Sequence, residues 1–97
     1  MIVVRDVFQL KFGKAKQALA LLKPMINSMR NTDAGIYRLL TDLVGNYYTV
    51  VLEGTFNSME DYQKIRQQAF DPEWAALYEQ FTDYVISGYR DIWTVVE

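Results

Sequence analysis

The sequence contains neither cysteine nor histidine. Without cysteine there is no disulfide, no thiolate nucleophile and no cysteine-ligated zinc or iron–sulfur site. Without histidine, the usual general base near neutral pH and the commonest metal and haem ligand are also missing. The acidic residues nowhere have the spacing of a calcium-binding loop. We therefore expect no bound metal and no cofactor.

The sequence also lacks a large excess of charge of either sign and has no long apolar run. Ten basic and twelve acidic residues are spread along the chain and give a net charge of −2, so no basic stripe predicts binding to nucleic acid. No apolar run approaches the roughly 20 residues that span a bilayer, and residues 1–14 do not have the pattern of a signal peptide. We expect a cytoplasmic protein that binds neither nucleic acid nor a membrane.

What the sequence does contain is apolar and aromatic side chains. Of its 97 residues, 51% are hydrophobic and 14% aromatic. That is enough for the core of one domain covering residues 1–97, although a domain this small buries a limited fraction of its surface. Marginal stability of this kind favours an oligomer.

The first half of the chain predicts a strand, a helix and a hairpin. Residues 2–12 are rich in β-branched and aromatic side chains and end before Gly13. Residues 13–31 have apolar positions at helical spacing, and Pro24 inside them costs about 3 kcal/mol, so we expect a kink or a break there. Two further strands flank Gly45-Asn46, which is suited to a two-residue hairpin turn. Counting back from that turn places Arg38 opposite Glu53.

The second half predicts a helix in two pieces and a closing strand. Ser58 has the position of an N-cap for the first piece. Asp71 and Pro72 have the cap and first-turn positions of the second piece, whose apolar spacing continues to about Ile86. Ser87-Gly88 then predicts the end of the helix, and "YRDIWTVVE" predicts a strand.

The order strand, helix, strand, strand, two-piece helix, strand predicts an α+β fold of the ferredoxin-like βαββαβ type. Its four-stranded antiparallel sheet carries helices on one face only. The other face should be polar if it meets water, yet both faces of the hairpin strands are rich in apolar residues. Monomers rarely expose such a surface, so we expect a homodimer that packs through the sheet face.

Three stretches, "YRLLTDLVGNYYTVVLEGTFNSMEDYQ", "DPEWAALYEQF" and "GYRDIWTVV", resemble small members of the dimeric α/β-barrel superfamily. The chain is most similar to NIPSNAP-like proteins and is related to antibiotic-biosynthesis-type monooxygenases, and the likeness in element order covers nearly the whole chain. The resemblance implies a homodimer whose two sheets pack into a barrel, with a cavity in each subunit between its sheet and its helices.

The sequence departs from several enzyme branches of that superfamily. Haem-degrading monooxygenases, chlorite dismutases and EthD-like proteins rely on histidine, which is absent here. Haem binding through a proximal histidine is therefore excluded. The resemblance leaves open the chemistry of the cofactor-independent monooxygenases, which act on aromatic substrates, and it equally leaves open members without a known reaction.

Seven residues are candidates for a ligand pocket, and each has a simpler structural interpretation. Arg38 and Glu53 could orient a ligand carboxylate and exchange a proton, but a cross-strand ion pair explains them and is favoured. Trp74 and Tyr78 could form the aromatic wall of a pocket, although a stripe at helical spacing is more often core. The remaining candidates are tyrosines that could offer a hydroxyl to a cavity but could equally lie at its rim or at the dimer interface: Tyr37, Tyr48 and Tyr84.

Two functions follow as hypotheses. In the first, the homodimer binds a small aromatic molecule, with an unassigned reaction or with cofactor-independent monooxygenase-like chemistry. In the second, the same dimer is a non-catalytic binding or regulatory module. A cavity into which tyrosine, arginine or glutamate side chains converge favours the first hypothesis, whereas a fully packed interior favours the second.

Overall fold

The computed structural model describes residues 1–31, 35–67 and 72–97. The elements follow in the order β1 (Ile2–Leu10), α1 (Ala15–Arg30), β2 (Ile36–Thr41), β3 (Thr49–Phe56), α2 (Met59–Gln67), α3 (Pro72–Thr82) and β4 (Val85–Thr94). The strands form one antiparallel sheet in the order β2-β3-β1-β4. The predicted ferredoxin-like fold, with its second helix in two pieces, is confirmed.

The core lies between the sheet and the helices. Side chains alternate between the two faces of a strand, and one set from β1 and β3 packs against the apolar face of α1 and against α3. Phe81 of α3 is 0% exposed and its ring meets the ring of Phe8 edge to face, with centroids 5.1 Å apart. The largest fully buried side chains around it are Leu10, Leu22, Met25 and Val50.

Helix α1 continues through Pro24, so of the predicted kink or break, the break is wrong. Pro24 is exposed, and the helix buries its opposite side in the core through Ala18, Leu22, Met25 and Ile26. Proline removes one backbone hydrogen bond from a helix. Burial of several large apolar side chains, each contributing about 1.5–3 kcal/mol, outweighs that loss.

The hairpin has the predicted register but a different turn. Arg38 faces Glu53 across β2 and β3, as counted from the sequence. The two-residue turn is wrong, because β2 ends at Thr41 and β3 begins at Thr49. The carboxylate of Asp42 accepts the backbone N–H of Thr49 at 2.9 Å, and the backbone N–H of Asp42 donates to the carbonyl of Thr49 at 3.3 Å. These two bonds close the base of a longer loop.

Tyr48 lies in that loop and not in a strand, contrary to its predicted position. Its φ is 58°, a left-handed conformation that L-residues with a side chain adopt at a cost of about 1–2 kcal/mol. Its carbonyl accepts the N–H of Leu10 at 2.8 Å, and its ring packs against Phe12 with centroids 4.7 Å apart. These contacts hold the loop against the end of β1.

The predicted helix end at Ile86 is wrong, since α3 ends at Thr82 and β4 begins at Val85. Ser87-Gly88 is therefore part of the strand. Gly88 pairs with Phe8 of β1, and a Cβ at this glycine would lie 2.9 Å from Cδ1 of the phenylalanine ring. The glycine thus permits the Phe8 ring to lie across β4.

The two pieces of the second helix begin as predicted. Ser58 Oγ accepts the backbone N–H of Asp61 at 3.2 Å, which caps α2. Pro72 is the first residue of α3, while the predicted cap at Asp71 lies outside the described residues. In the parts of the chain that the structure describes, every helix is too short or too polar to cross a membrane.

Candidate ligand-binding site

A cavity of about 330 Å³ lies between the sheet and helices α2 and α3. We call it the sheet–helix cavity. Its walls come from all four strands and from the three helices, and they are mostly aromatic or aliphatic. The lining residues are Val4, Asp6, Phe8, Met29, Tyr37, Leu52, Gly54, Phe56, Tyr62, Ile65, Arg66, Trp74, Tyr78 and Arg90.

The sheet side of the cavity owes its space to a glycine. Gly54 lies on the helix-facing side of β3, beside Tyr37 of β2 and Val4 of β1. A Cβ at this position would lie 2.9 Å from Cε2 of Phe56 and 3.2 Å from Cε1 of Tyr37. Both rings are buried and meet edge to face at 5.8 Å. The missing side chain therefore lets two aromatic rings line the floor of the cavity.

The helix side is an aromatic wall. Trp74 and Tyr78 are one helical turn apart on α3, so their side chains share a face. Their rings stack with centroids 5.4 Å apart and an interplanar angle of 6°. On α2, Tyr62 packs against Phe56 at 5.2 Å. The helix side therefore offers aromatic ring faces on which a planar ligand can stack.

An ion pair is the main polar feature of the cavity lining. Asp6 of β1 and Arg90 of β4 are cross-strand neighbours on the helix-facing side of the sheet. Nε of Arg90 donates to Oδ1 of Asp6 at 2.5 Å. The pKa of Arg90 is raised above its ordinary value, chiefly by this hydrogen bond, with smaller contributions from the charge of Asp6 and from Tyr62 and Tyr78. The hydrogen bond to Asp6 therefore favours the charged form of Arg90.

The cavity opens to solvent where its lining is exposed. Arg66, at the end of α2, Tyr78 and Arg90 are all exposed residues. The guanidinium carbon of Arg66 lies 5.9 Å from the centre of the Tyr62 ring, within the range of a cation–π contact. The interior is thus apolar and aromatic, and the charged groups lie at the sheet edge and at the mouth.

The structure brings three of the predicted pocket residues together in this cavity, namely Tyr37, Trp74 and Tyr78. Tyr84 instead packs against the core cluster around Phe81. Tyr48 lines a separate surface groove beside the hairpin loop. The predicted pocket residues therefore include members of both walls of the cavity, whereas Tyr48 and Tyr84 lie elsewhere.

Arg38 and Glu53 lie on the opposite face of the sheet, which no helix of the described residues covers; we call it the open face. Glu53 is the strand neighbour of both Arg38 on β2 and Arg5 on β1. Arg5 in turn faces Asp91 of β4, and Arg5 Nε donates to Asp91 Oδ1 at 3.2 Å. A row of alternating charges thus crosses all four strands of the open face.

Apolar rows lie on both sides of this charged row. One row contains Val3 and its neighbours along the sheet, and the next contains Val7 and its neighbours. Several of these side chains are strongly exposed, with Ile36 at 71% and Trp93 at 57%. The open face therefore combines a paired charge row with uncovered apolar surface.

Asp6, Arg66 and Arg90 were not selected from the sequence as pocket residues. The sequence does show that Arg5 and Asp6 point to opposite faces, so that one of them enters a desolvated place. The missing information was the register of β1 and β4, which are 84 residues apart at the Asp6–Arg90 contact. Short-range patterns do not determine a pairing of that separation.

Solved structures of other proteins have the same fold as this chain. Neither a family model nor a curated protein matches the sequence. An uncharacterized NIPSNAP domain protein from Burkholderia xenovorans superposes with a TM-score of 0.84 at 17% identity, covering 99% of this chain and 95% of that one. A NIPSNAP family protein from Agrobacterium tumefaciens gives 0.84 at 18% identity, covering 99% and 93%.

An antibiotic biosynthesis monooxygenase also matches, with a TM-score of 0.79 at 13% identity and full coverage of both chains. Identities this low establish the fold and not the activity. The chain therefore has the same fold as these NIPSNAP domain proteins and this monooxygenase. The resemblance seen in the sequence is confirmed at that level.

Proposed function

We propose that the protein is a homodimer that binds a small planar aromatic molecule in the sheet–helix cavity. The observation that carries this proposal is the cavity itself, about 330 Å³ in volume with stacked Trp74 and Tyr78 on one side. Ligand sites in proteins are concave, mostly apolar and lined by a few placed polar groups, with volumes of about 300–1,000 Å³. The cavity has each of these properties.

The shape and chemistry of the walls define the ligand class. The Phe56 and Tyr37 rings on the sheet side and the Trp74–Tyr78 stack on the helix side are large apolar surfaces. Aromatic rings prefer offset stacking or edge contacts with other rings. A flat aromatic ligand would make both kinds of contact, while its polar substituents would reach Arg66 or the Asp6–Arg90 pair.

The open face supports the homodimer. Its apolar rows flank charges that are already paired within the chain, so a second copy would bury apolar surface without leaving these charges unpaired. Exposed apolar patches on a protein surface mark sites of interaction with other molecules. A two-fold axis brings the same surface of two copies together and is the simplest way to cover it.

The reaction that we propose to test is monooxygenation of the bound ligand. The fold shared with an antibiotic biosynthesis monooxygenase favours it, and the cavity offers a carboxylate and a guanidinium beside a hydrophobic chamber. Such a reaction would convert an activated ring methylene and O₂ into a ketone and water. Oxygen uptake that matches ketone formed, one for one, would support catalysis; binding without uptake across a panel of such substrates would leave the non-catalytic module as the function.

Tryptophan fluorescence tests ligand binding directly. Trp74 lines the cavity and Trp93 lies on the open face, so a Trp93→Phe variant reports only the cavity. We expect a naphthol to quench the emission of this variant saturably. A matched Trp74→Phe variant, which retains only Trp93, should show much weaker quenching. Equal quenching of both variants, or none in either across a panel of planar phenols, would contradict the proposal.

A further inference from the structure

The charges that line the sheet–helix cavity do not balance. The charged side chains in its lining are those of Asp6, Arg66 and Arg90. Asp6 and Arg90 neutralise each other through their hydrogen bond. Arg66 remains as an additional positive charge at the mouth of an otherwise apolar chamber.

Arg66 has no carboxylate partner within ion-pair distance among the residues that the structure describes. Its guanidinium instead lies over the ring of Tyr62, which also packs against Phe56 in the cavity wall. Contact with an aromatic ring leaves the edge of the guanidinium free to donate hydrogen bonds. A planar guanidinium matches a carboxylate through two parallel N–H···O bonds.

Arg66 also lies in the last turn of α2, together with Lys64. A cation there interacts favourably with the helix dipole, and either residue would serve that purpose. Only Arg66 lines the cavity. The difference between the two residues therefore isolates the role of the cavity from the role of the helix end.

We propose that the ligand of the sheet–helix cavity is an aromatic carboxylate, with its ring between the aromatic walls and its carboxylate bound by Arg66. This inference rests on the proposed function, because it specifies the ligand of the same cavity. A carboxylate that enters apolar surroundings loses hydration and needs a cation or hydrogen-bond donors in return. Arg66 supplies both at the point where the ligand leaves the solvent.

The test compares naphthoate with naphthamide, which have the same shape and differ in charge. Both are titrated at neutral pH into the Trp93→Phe protein, with Trp74 emission as the readout. We expect naphthoate to bind about tenfold more tightly than naphthamide, a ratio typical of one charge-assisted contact. We also expect added salt to reduce the preference, because this charge lies at an exposed mouth.

Two variants in the same background locate the effect. Arg66→Gln should weaken binding of naphthoate far more than binding of naphthamide and so remove the preference, whereas Lys64→Gln should retain the preference. Equal binding of the two ligands, or a preference that survives Arg66→Gln, would overturn the assignment of a carboxylate ligand. The proposal that the cavity binds a planar aromatic molecule would not be affected by either result. Failure of both ligands and of neutral planar aromatics to bind would overturn the proposed function as well.

Discussion

The Arg38 guanidinium donates two hydrogen bonds to a single carboxylate oxygen of Glu53, from Nε at 2.9 Å and from Nη2 at 2.5 Å. Glu53 is only 9% exposed although no helix among the described residues covers its face of the sheet. The pair lies in a row of alternating charges that continues through Arg5 and Asp91. Its position assigns it to the open face and separates it from the sheet–helix cavity.

Removing Arg38 should therefore destabilise the fold without changing the cavity. Arg38→Met leaves the nearly buried carboxylate of Glu53 without its donor, and we expect the free energy of unfolding to fall by about 1–3 kcal/mol. The double variant Arg38→Met/Glu53→Gln should recover part of this loss, because the unpaired charge is gone. Urea denaturation at one fixed protein concentration measures both. An Arg38→Met protein as stable as the parent would show that the pair contributes nothing.

A charge placed in the apolar part of the open face should separate the proposed dimer. Ile36 is 71% exposed in the isolated chain, so Ile36→Glu should leave the subunit folded, whereas a carboxylate buried between two copies carries a large desolvation cost. Light scattering should report a dimer for the parent and a monomer for the variant. Met59→Glu, at an exposed position of α2 away from the open face, is the control and should remain dimeric. A monomeric parent protein at micromolar concentration would refute the dimer.

Trp74 and Phe81 should respond differently to truncation although both belong to the aromatic stripe of α3. Phe81 is 0% exposed, so Phe81→Ala should cost about 3–5 kcal/mol of unfolding free energy. Trp74 is half-buried and lines the cavity, so Trp74→Ala should cost less than Phe81→Ala and should weaken binding of a naphthol, measured by calorimetry. Equal destabilisation with unchanged binding would assign Trp74 to the core alone.

Gly88→Ala should destabilise the protein even though the change adds one methyl group. The new Cβ would lie 2.9 Å from Cδ1 of Phe8 and 3.2 Å from the carbonyl oxygen of Val7. The phenylalanine ring is packed edge to face against Phe81 and has little room to move. Overpacking of this kind typically costs about 1–3 kcal/mol. Thermal unfolding should show a clear drop for Gly88→Ala and a much smaller change for the neighbouring Ser87→Ala.

The fold was largely predictable because its elements depend on local patterns. Apolar spacing, the Ser58 cap and the position of Pro72 are short-range signals, and the register of the hairpin followed from Gly45-Asn46 even though the turn is longer than two residues. Pairing that joins distant segments was not predictable in the same way. The helix was predicted to continue to Ile86, beyond the observed end of α3 at Thr82. The apolar residues near Val85 fit the spacing of a helix as well as that of a strand.

The cavity was predictable only in part for the same reason. An aromatic stripe on α3 identifies Trp74 and Tyr78 as one face, but their spacing alone does not distinguish the wall of a cavity from a core. The space on the sheet side of the cavity depends on Gly54. A Cβ at this position would be too close to the rings of Tyr37 on β2 and Phe56 on β3. The acid–base pair of Asp6 and Arg90 depends on the pairing of the first and last strands.

The most direct test of the central claim is the position of a bound aromatic ligand, determined by nuclear Overhauser contacts between a naphthol and the isotope-labelled protein. We expect contacts from the ligand ring to Trp74, Phe56 and Leu52 within the sheet–helix cavity. Contacts confined to residues of the open face, such as Val51 and Val3, would contradict it.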